Sequence, residues 1–178
     1  EQRCQKPFFF DGEKRQAISD CLVYELREED YRHSQSHAPI RQQKRAVGHA
    51  VKAMYFYSGA CDVARATGDD SLTAALDVLW QSVLRQMYVT GAIGASEHGE
   101  SFTVDYDLPN ALDYGETCAS VGLFLFAFRM LLARPDGAYA DVMERALYNG
   151  VLSGLGLDGT SFFYTNPLEC QPAVNRAR

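Results

Sequence analysis

What this sequence has little of narrows its class before any motif is read. It has no surplus of basic residues: 17 Lys and Arg stand against 23 Asp and Glu, a net charge of −6. Chains that grip a nucleic-acid backbone need the opposite balance, so nucleic acid is not expected as a partner. Long hydrophobic runs are missing too. The apolar stretch from Val121 to Phe128 ends at Arg129, far short of the ~20 residues that cross a bilayer. No membrane partner is expected, and no segment shows the pattern of a signal peptide. A disulfide framework is missing as well: the five cysteines, Cys4, Cys21, Cys61, Cys118 and Cys170, are odd in number and widely spaced. A reducing compartment suits that pattern, and a cytoplasmic location is expected. No repeat at the periods of helical arrays is visible, which disfavours a solenoid.

What is present reads as a globular domain, with 47% hydrophobic and 22% charged residues in 178. Apolar residues recur at helical spacing over 41–66 (Val47, Ala50, Val51, Met54, Tyr55, Ser58, Cys61), with Gly68 as a stop. Residues 71–88 carry a cleaner stripe through Leu72, Leu76, Leu79, Trp80 and Val83. Residues 116–133 are apolar nearly all round, the mark of a buried helix, and 138–153 resume as an amphipathic one. A weaker helical pattern covers 13–29, followed by a polar loop bearing His33 and His37, and SFFYT (161–165) reads as a short strand. Short-linked helices of this kind form hairpins stacked in two layers, as in a bundle, a solenoid or an α/α toroid.

Between the second and third firm helices lies a loop, Tyr88 to Ser120, too long to be idle in a compact domain. It opens with Gly91, Gly94 and Gly99, carries Glu97, Glu100, Asp105, Asp107, Asp113 and Glu116, and reaches Cys118. Phe102, Tyr106 and Tyr114 argue against disorder. Asp105, Asp107 and Asn110 are expected to fix the loop by local side-chain-to-backbone hydrogen bonds. Taken on residues alone, Glu100 is a loop glutamate, and Glu116 and Cys118 are a carboxylate and a thiol spaced so that both can ligate Zn²⁺.

The motifs YVTGAIG, GESFTVDYDLPN and ETCAS in this loop resemble glycoside hydrolase family 127, the bacterial β-L-arabinofuranosidases. The resemblance continues through QSHAPIRQQ and GHAVKAMY before the loop and YADVMERALYNG and LDGTSFFYTNPLE after it. It implies an all-α fold, a partial (α/α)6 barrel with a long functional loop and the short C-terminal strand. Residues 1–178 would be a fragment of one catalytic domain, without its first helices and its C-terminal part.

The same resemblance assigns roles. Glycoside hydrolysis needs a proton donor for the departing oxygen and a nucleophile or base opposite it. Glu100, beside Phe102, matches the general acid/base, in preference to the neighbouring Glu97. Glu116 and Cys118 match two of four zinc ligands; the others would be an adjacent cysteine pair, one of which is the nucleophile. That pair is absent here: the chain reads NPLECQPAVNRAR, and Cys170 is single and too close to the motif to take its place. His49, Glu144 and Tyr164 match positions lining the sugar pocket, with His37 approaching the same region. The complete form is expected to release terminal β-L-arabinofuranose from oligosaccharides with retention, through a glycosyl-cysteine intermediate. These residues alone are expected to be inactive, to bind zinc weakly or not at all, and to self-associate through exposed apolar faces. A non-catalytic sugar-binding protein or a helical interaction protein are the alternatives.

Overall fold

In the computed structural model the described residues are 28–96 and 98–169, and their helices are α1 (Glu28–His33), α2 (Ala50–Thr67), α3 (Asp70–Leu84), α4 (Thr117–Ala133) and α5 (Gly137–Ala146). Local chemistry sets the two hairpins. Gly68 ends α2 in the left-handed conformation (φ 66°) that glycine adopts at little cost. Asp69 then caps α3: its side chain accepts from the Leu72 N–H at 2.9 Å. The Ser71 hydroxyl, that N–H and Arg41 together hold the Asp69 carboxyl down at about 2. Across the second hairpin Asp136 caps α5 by accepting from the Ala138 N–H at 2.9 Å.

The hairpins pack side by side, with α2 and α4 in contact along their length and running in the same direction. Gly122 of α4 faces Met54 of α2; further on, Cys61 Sγ lies 4.0 Å from Met130 Sδ, and Arg129 Nε donates to Asp62 at 2.9 Å. A Cβ on Gly122 would stand 2.8 Å from the Met54 Cβ, so the absent side chain is what admits this approach. Tyr57, Leu79, Trp80, Leu123 and Phe126 fill the core, and Trp80 bridges Phe126 and Tyr139 with ring centroids 5.6 and 5.0 Å away. The arrangement is all-α, a part of an α/α barrel.

Several expected boundaries move, each for a physical reason. The helix expected from 41 begins only at Ala50. Ile40–Gln42 form a 3-10 turn, and Gly48, at φ 73°, lies so close to Arg32 that a Cβ would overlap its carbonyl. The buried Gln35 and Gln43 amides serve the extended backbone, donating to Val47 O at 3.0 Å and Gln35 O at 2.9 Å. Within α2, Tyr57 is buried and Tyr55 is turned out. α3 stops at Leu84 rather than 88, because the chain doubles back at Gly91 and the Tyr88 N–H donates to Ala92 O at 2.9 Å. α4 buries one face fully, while Phe124, Leu125 and Phe128 on the other are half-buried. α5 ends at Ala146, and the π turn Leu147–Val151 and 3-10 turn Leu152–Gly154 replace its last turns. This brings Gly150 against Ser120, where a Cβ would clash with the hydroxyl. The expected strand at 161–165 is not formed: the segment makes isolated bridges, Leu155 to Phe162 and Glu116 to Thr165. The helix expected over 13–29 lies outside the described residues except at its end, where α1 starts and runs on to His33.

The long loop is tied down from several sides. Tyr88, Ala92 and Ala95 form a small second core with Leu108. Asp105 does not bond locally as expected; it receives Arg85 Nε at 2.6 Å and pairs with Arg45 Nη2 at 3.2 Å. Asp107 and Asn110 contribute backbone carbonyls, to the Thr103 hydroxyl and the Glu169 N–H. Asp113 is fully buried. Burial raises its carboxyl to about 7, against the opposing pull of the Tyr88 hydroxyl and the Gly115 N–H.

Two outcomes follow from this packing. Gly122→Ala should cost about 1–3 kcal/mol by overpacking the α2–α4 contact, read as a lowered urea midpoint; shortening Met54 in the same chain should recover part of it. Asp113 binds its proton more tightly folded than unfolded, so its contribution to stability declines as pH rises from about 4 to about 7. Asp113→Asn should flatten the stability–pH curve in that window; an unchanged slope would show that Asp113 is not the group responsible.

Candidate active site

Because α2 and α4 are parallel neighbours, their N-termini lie together, and the capping positions are His49 and Glu116. At each, backbone pairing brings in a second segment. His49 bridges Ser101, and the Phe102 N–H donates to Gly48 O at 3.0 Å. Glu116 bridges Thr165, with the Thr117 N–H donating to Tyr164 O at 2.9 Å and the Asn166 N–H to Gly115 O at 3.1 Å. The first pairing delivers Glu100 and the second delivers Tyr164. Glu100 sits on a tight tip closed by the Ser96–Ser101 pair, whose two N–H···O bonds are 3.2 and 3.0 Å. Its backbone is left-handed (φ 50°) directly after Gly99 (φ 68°). That conformation costs a non-glycine residue about 1–2 kcal/mol and persists where the surroundings enforce it.

The side chains converge. Glu100 Oε2 is 2.7 Å from His49 Nε2, and Glu100 Oε1 accepts from the Tyr114 hydroxyl at 3.0 Å. His49 Nδ1 accepts from the Lys52 N–H at 3.4 Å, which leaves the hydrogen on Nε2 to face Glu100. His33 meets the His49 ring edge-on at 5.3 Å. Glu116 is only 3% exposed, and its Oε2 has no hydrogen-bond partner among the described residues. It caps no N–H of α4, and its charge is felt by the neighbouring Tyr164 hydroxyl and Cys118 thiol. Tyr114, bonded to Glu100, and Tyr164, whose proton the nearby Glu116 carboxylate holds, pack edge-on with ring centroids 6.3 Å apart.

Burial and this negative charge shape the neighbours. Burial first, then the Glu116 carboxylate, push the Cys118 thiol up to about 11. Burial and the bond to Glu100 push Tyr114 up to about 12, and the bond to Glu116 followed by burial raises Tyr164. Lys52 is lowered by burial, with Glu100 opposing. His49, Glu100 and Glu116 each offer a ligand atom within 4.8 Å of the others, so this group has the donors to hold a cation.

Of the residues singled out in the sequence, His49, Glu100, Glu116, Cys118 and Tyr164 are brought into one constellation. Glu144 is exposed on α5 and hydrogen-bonded to none of them. His37 is half-buried on the segment leading to Ile40. Glu97 and Cys170 lie outside the described residues. The sequence reading passed over Tyr114 and His33 as site residues. Tyr114 carried no spacing signal in the sequence: Gly115, at φ 44°, breaks the extended backbone between it and Glu116, and only the fold brings its hydroxyl to Glu100.

Comparison with known proteins identifies the family of the chain. The family described as β-L-arabinofuranosidase, GH127 catalytic domain, matches residues 8–178. The chain is 43% identical over 171 residues to a non-reducing end β-L-arabinofuranosidase of Bifidobacterium longum subsp. longum, covering 96% of this chain and 26% of that protein. Its fold is similar to the crystal structure of a GH127 β-L-arabinofuranosidase from Geobacillus stearothermophilus T6, with a TM-score of 0.86 and 51% identity over 97% of this chain and 27% of that one. It is also similar to a GH127 β-arabinofuranosidase structure, with a TM-score of 0.75 and 50% identity over 77% of this chain and 22% of the other. The chain therefore spans about a quarter of the length of these relatives. With its fold, its motifs and nearly all its residues matched, the chain belongs to the GH127 β-L-arabinofuranosidase catalytic-domain family.

Proposed function

We propose that these residues form one wall of the active site of a glycosidase that releases terminal, non-reducing β-L-arabinofuranose with retention. The observation that carries the reading is the Glu100 carboxyl. It is held by one partner on each oxygen, yet its side chain remains 34% exposed at a loop tip, where a glycosidic oxygen can reach it. Glu100 would give its proton to the departing oxygen and later take one from the incoming water. The Tyr114 hydroxyl both donates and accepts, so it can stay bonded to Glu100 in either protonation state. His49 and Tyr164, beside the acid, would bind sugar hydroxyls, and Glu144 is assigned to the pocket by its motif alone.

Zn²⁺ fits the Glu116–Cys118 pair: a buried carboxylate oxygen without a partner lies beside a thiol, two donors of a tetrahedral set. Bound there, the metal would hold a cysteine thiol as the nucleophilic thiolate. The cysteine pair that completes the set is not among these 178 residues, which we read as a fragment of one (α/α)6-barrel catalytic domain. Leu157, Phe162 and Phe163, all strongly exposed, would favour self-association of the isolated piece. The odd, widely spaced cysteines favour a cytoplasmic location. Among the described residues no helix is long and apolar enough to cross a membrane.

The residues 1–178 alone should show no measurable hydrolysis of an aryl β-L-arabinofuranoside. A chain extended through the cysteine pair should be active, and Glu100→Gln should lower its rate on an unactivated arabinoside by about 10²–10⁴-fold. Turnover by the short chain, abolished by Cys170→Ala, would contradict the fragment reading.

Metal content after dialysis tests the zinc assignment. The short chain should retain little zinc, and Cys118→Ala should remove it from the extended chain. Tight zinc that survives Cys118→Ala but is lost in His49→Ala would move the metal to the His49–Glu100–Glu116 group.

A further inference from the structure

The loop tip carrying Glu100 is braced from one neighbour in two ways. The Tyr114 N–H donates to Ala95 O at 3.2 Å, at the base of the tip, and its hydroxyl donates to Glu100 Oε1 at 3.0 Å. Its ring is almost wholly buried and packs edge-on against Tyr164, so the hydroxyl is presented from a fixed platform. Tyr114 directly precedes Gly115, where the pairing of 115–117 with 164–166 begins. The residue that holds Glu100 thus adjoins the segment that positions Glu116.

Glu100 needs such a brace. Its left-handed backbone at a tip would leave a glutamate side chain free to swing into solvent. His49 holds one oxygen, and a single hydrogen bond still allows the carboxyl to rotate about it. A second bond on the other oxygen fixes the plane of the group. Proton transfer to a leaving oxygen depends on that plane, because the acid must lie within hydrogen-bond reach of the oxygen it protonates.

We propose that Tyr114 is a positioning residue that fixes the Glu100 carboxyl for proton transfer to the leaving group. The inference rests on the reading of Glu100 as the general acid. It predicts a selective defect: substrates whose leaving oxygen needs a proton suffer, and those with a strongly activated leaving group do not. A merely structural role for Tyr114 would depress both alike.

The test uses the full-length enzyme and two β-L-arabinofuranosides, one with an alkyl or sugar leaving group and one with dinitrophenol. The readout is kcat/KM, which reports the step in which the glycosidic bond breaks. Tyr114→Phe should lower kcat/KM on the first substrate roughly ten- to hundredfold and leave the second nearly unchanged. Tyr114→4-aminophenylalanine, which keeps the ring and a donor, should recover much of the loss. Equal losses on both substrates, no loss on either, no recovery by the amino variant, or a Tyr114→Phe chain that does not fold would each overturn the proposal. Glu100→Gln is the control. If it shows the selective defect and Tyr114→Phe does not, only Tyr114's role fails; if Glu100→Gln shows none, the acid assignment itself fails.

Discussion

The contact on which the site depends lies beside it, where Gly122 of α4 passes Met54 of α2. Two parallel helices can come this close only where one of them carries no side chain. The approach, continued through Cys61 and Met130, holds the helices in a register that brings their first residues together. His49 and Glu116 meet for that reason, although 66 positions of sequence separate them. The loop and the C-terminal segment then add Glu100 and Tyr164 by pairing their backbones onto the capping residues.

This placement has an electrostatic consequence. Helix N-termini carry partial positive charge and unpaired N–H groups. Two of them face the carboxylates Glu100 and Glu116, which offsets part of the cost of holding two acids near one another with one of them buried. Glu116 forgoes the usual capping bond, and its orphaned oxygen and adjacent thiol mark the position as built for something other than helix stability. The two acids differ in exposure: the Glu100 carboxyl stays partly open to solvent, and Glu116 is enclosed with the thiol.

Much of this was legible in the sequence. Helix periodicity located the hairpins because Leu72, Leu76, Leu79 and Trp80 are buried on one stripe, and the glycine-bearing loop announced itself by its length. Boundaries were less legible where tertiary partners override local pattern. Val47 belongs to a periodic run but lies in an extended segment whose backbone is served by buried glutamines; Leu147 and Val151 continue a stripe that a π turn breaks so that Gly150 can meet Ser120. SFFYT has the composition of a strand, but it finds only single bridges to pair with. In the site, the motif resemblance named His49, Glu100, Glu116, Cys118 and Tyr164, whereas Tyr114 and His33 belong to it by position alone. Asp105 read as a local turn residue because nothing in its own segment shows that Arg85 and Arg45 converge on it.

The central claim is that the two helix N-termini and the loop tip form a sugar-binding, proton-donating wall. The measurement that tests it most directly is a crystal structure of an extended chain carrying Glu100→Gln, with an uncleaved β-L-arabinofuranoside bound. The account predicts the glycosidic oxygen within about 2.6–3.2 Å of the side chain at position 100, with sugar hydroxyls on His49 and Tyr164. A sugar bound elsewhere, or a metal ion occupying the space between His49, position 100 and Glu116, would contradict it.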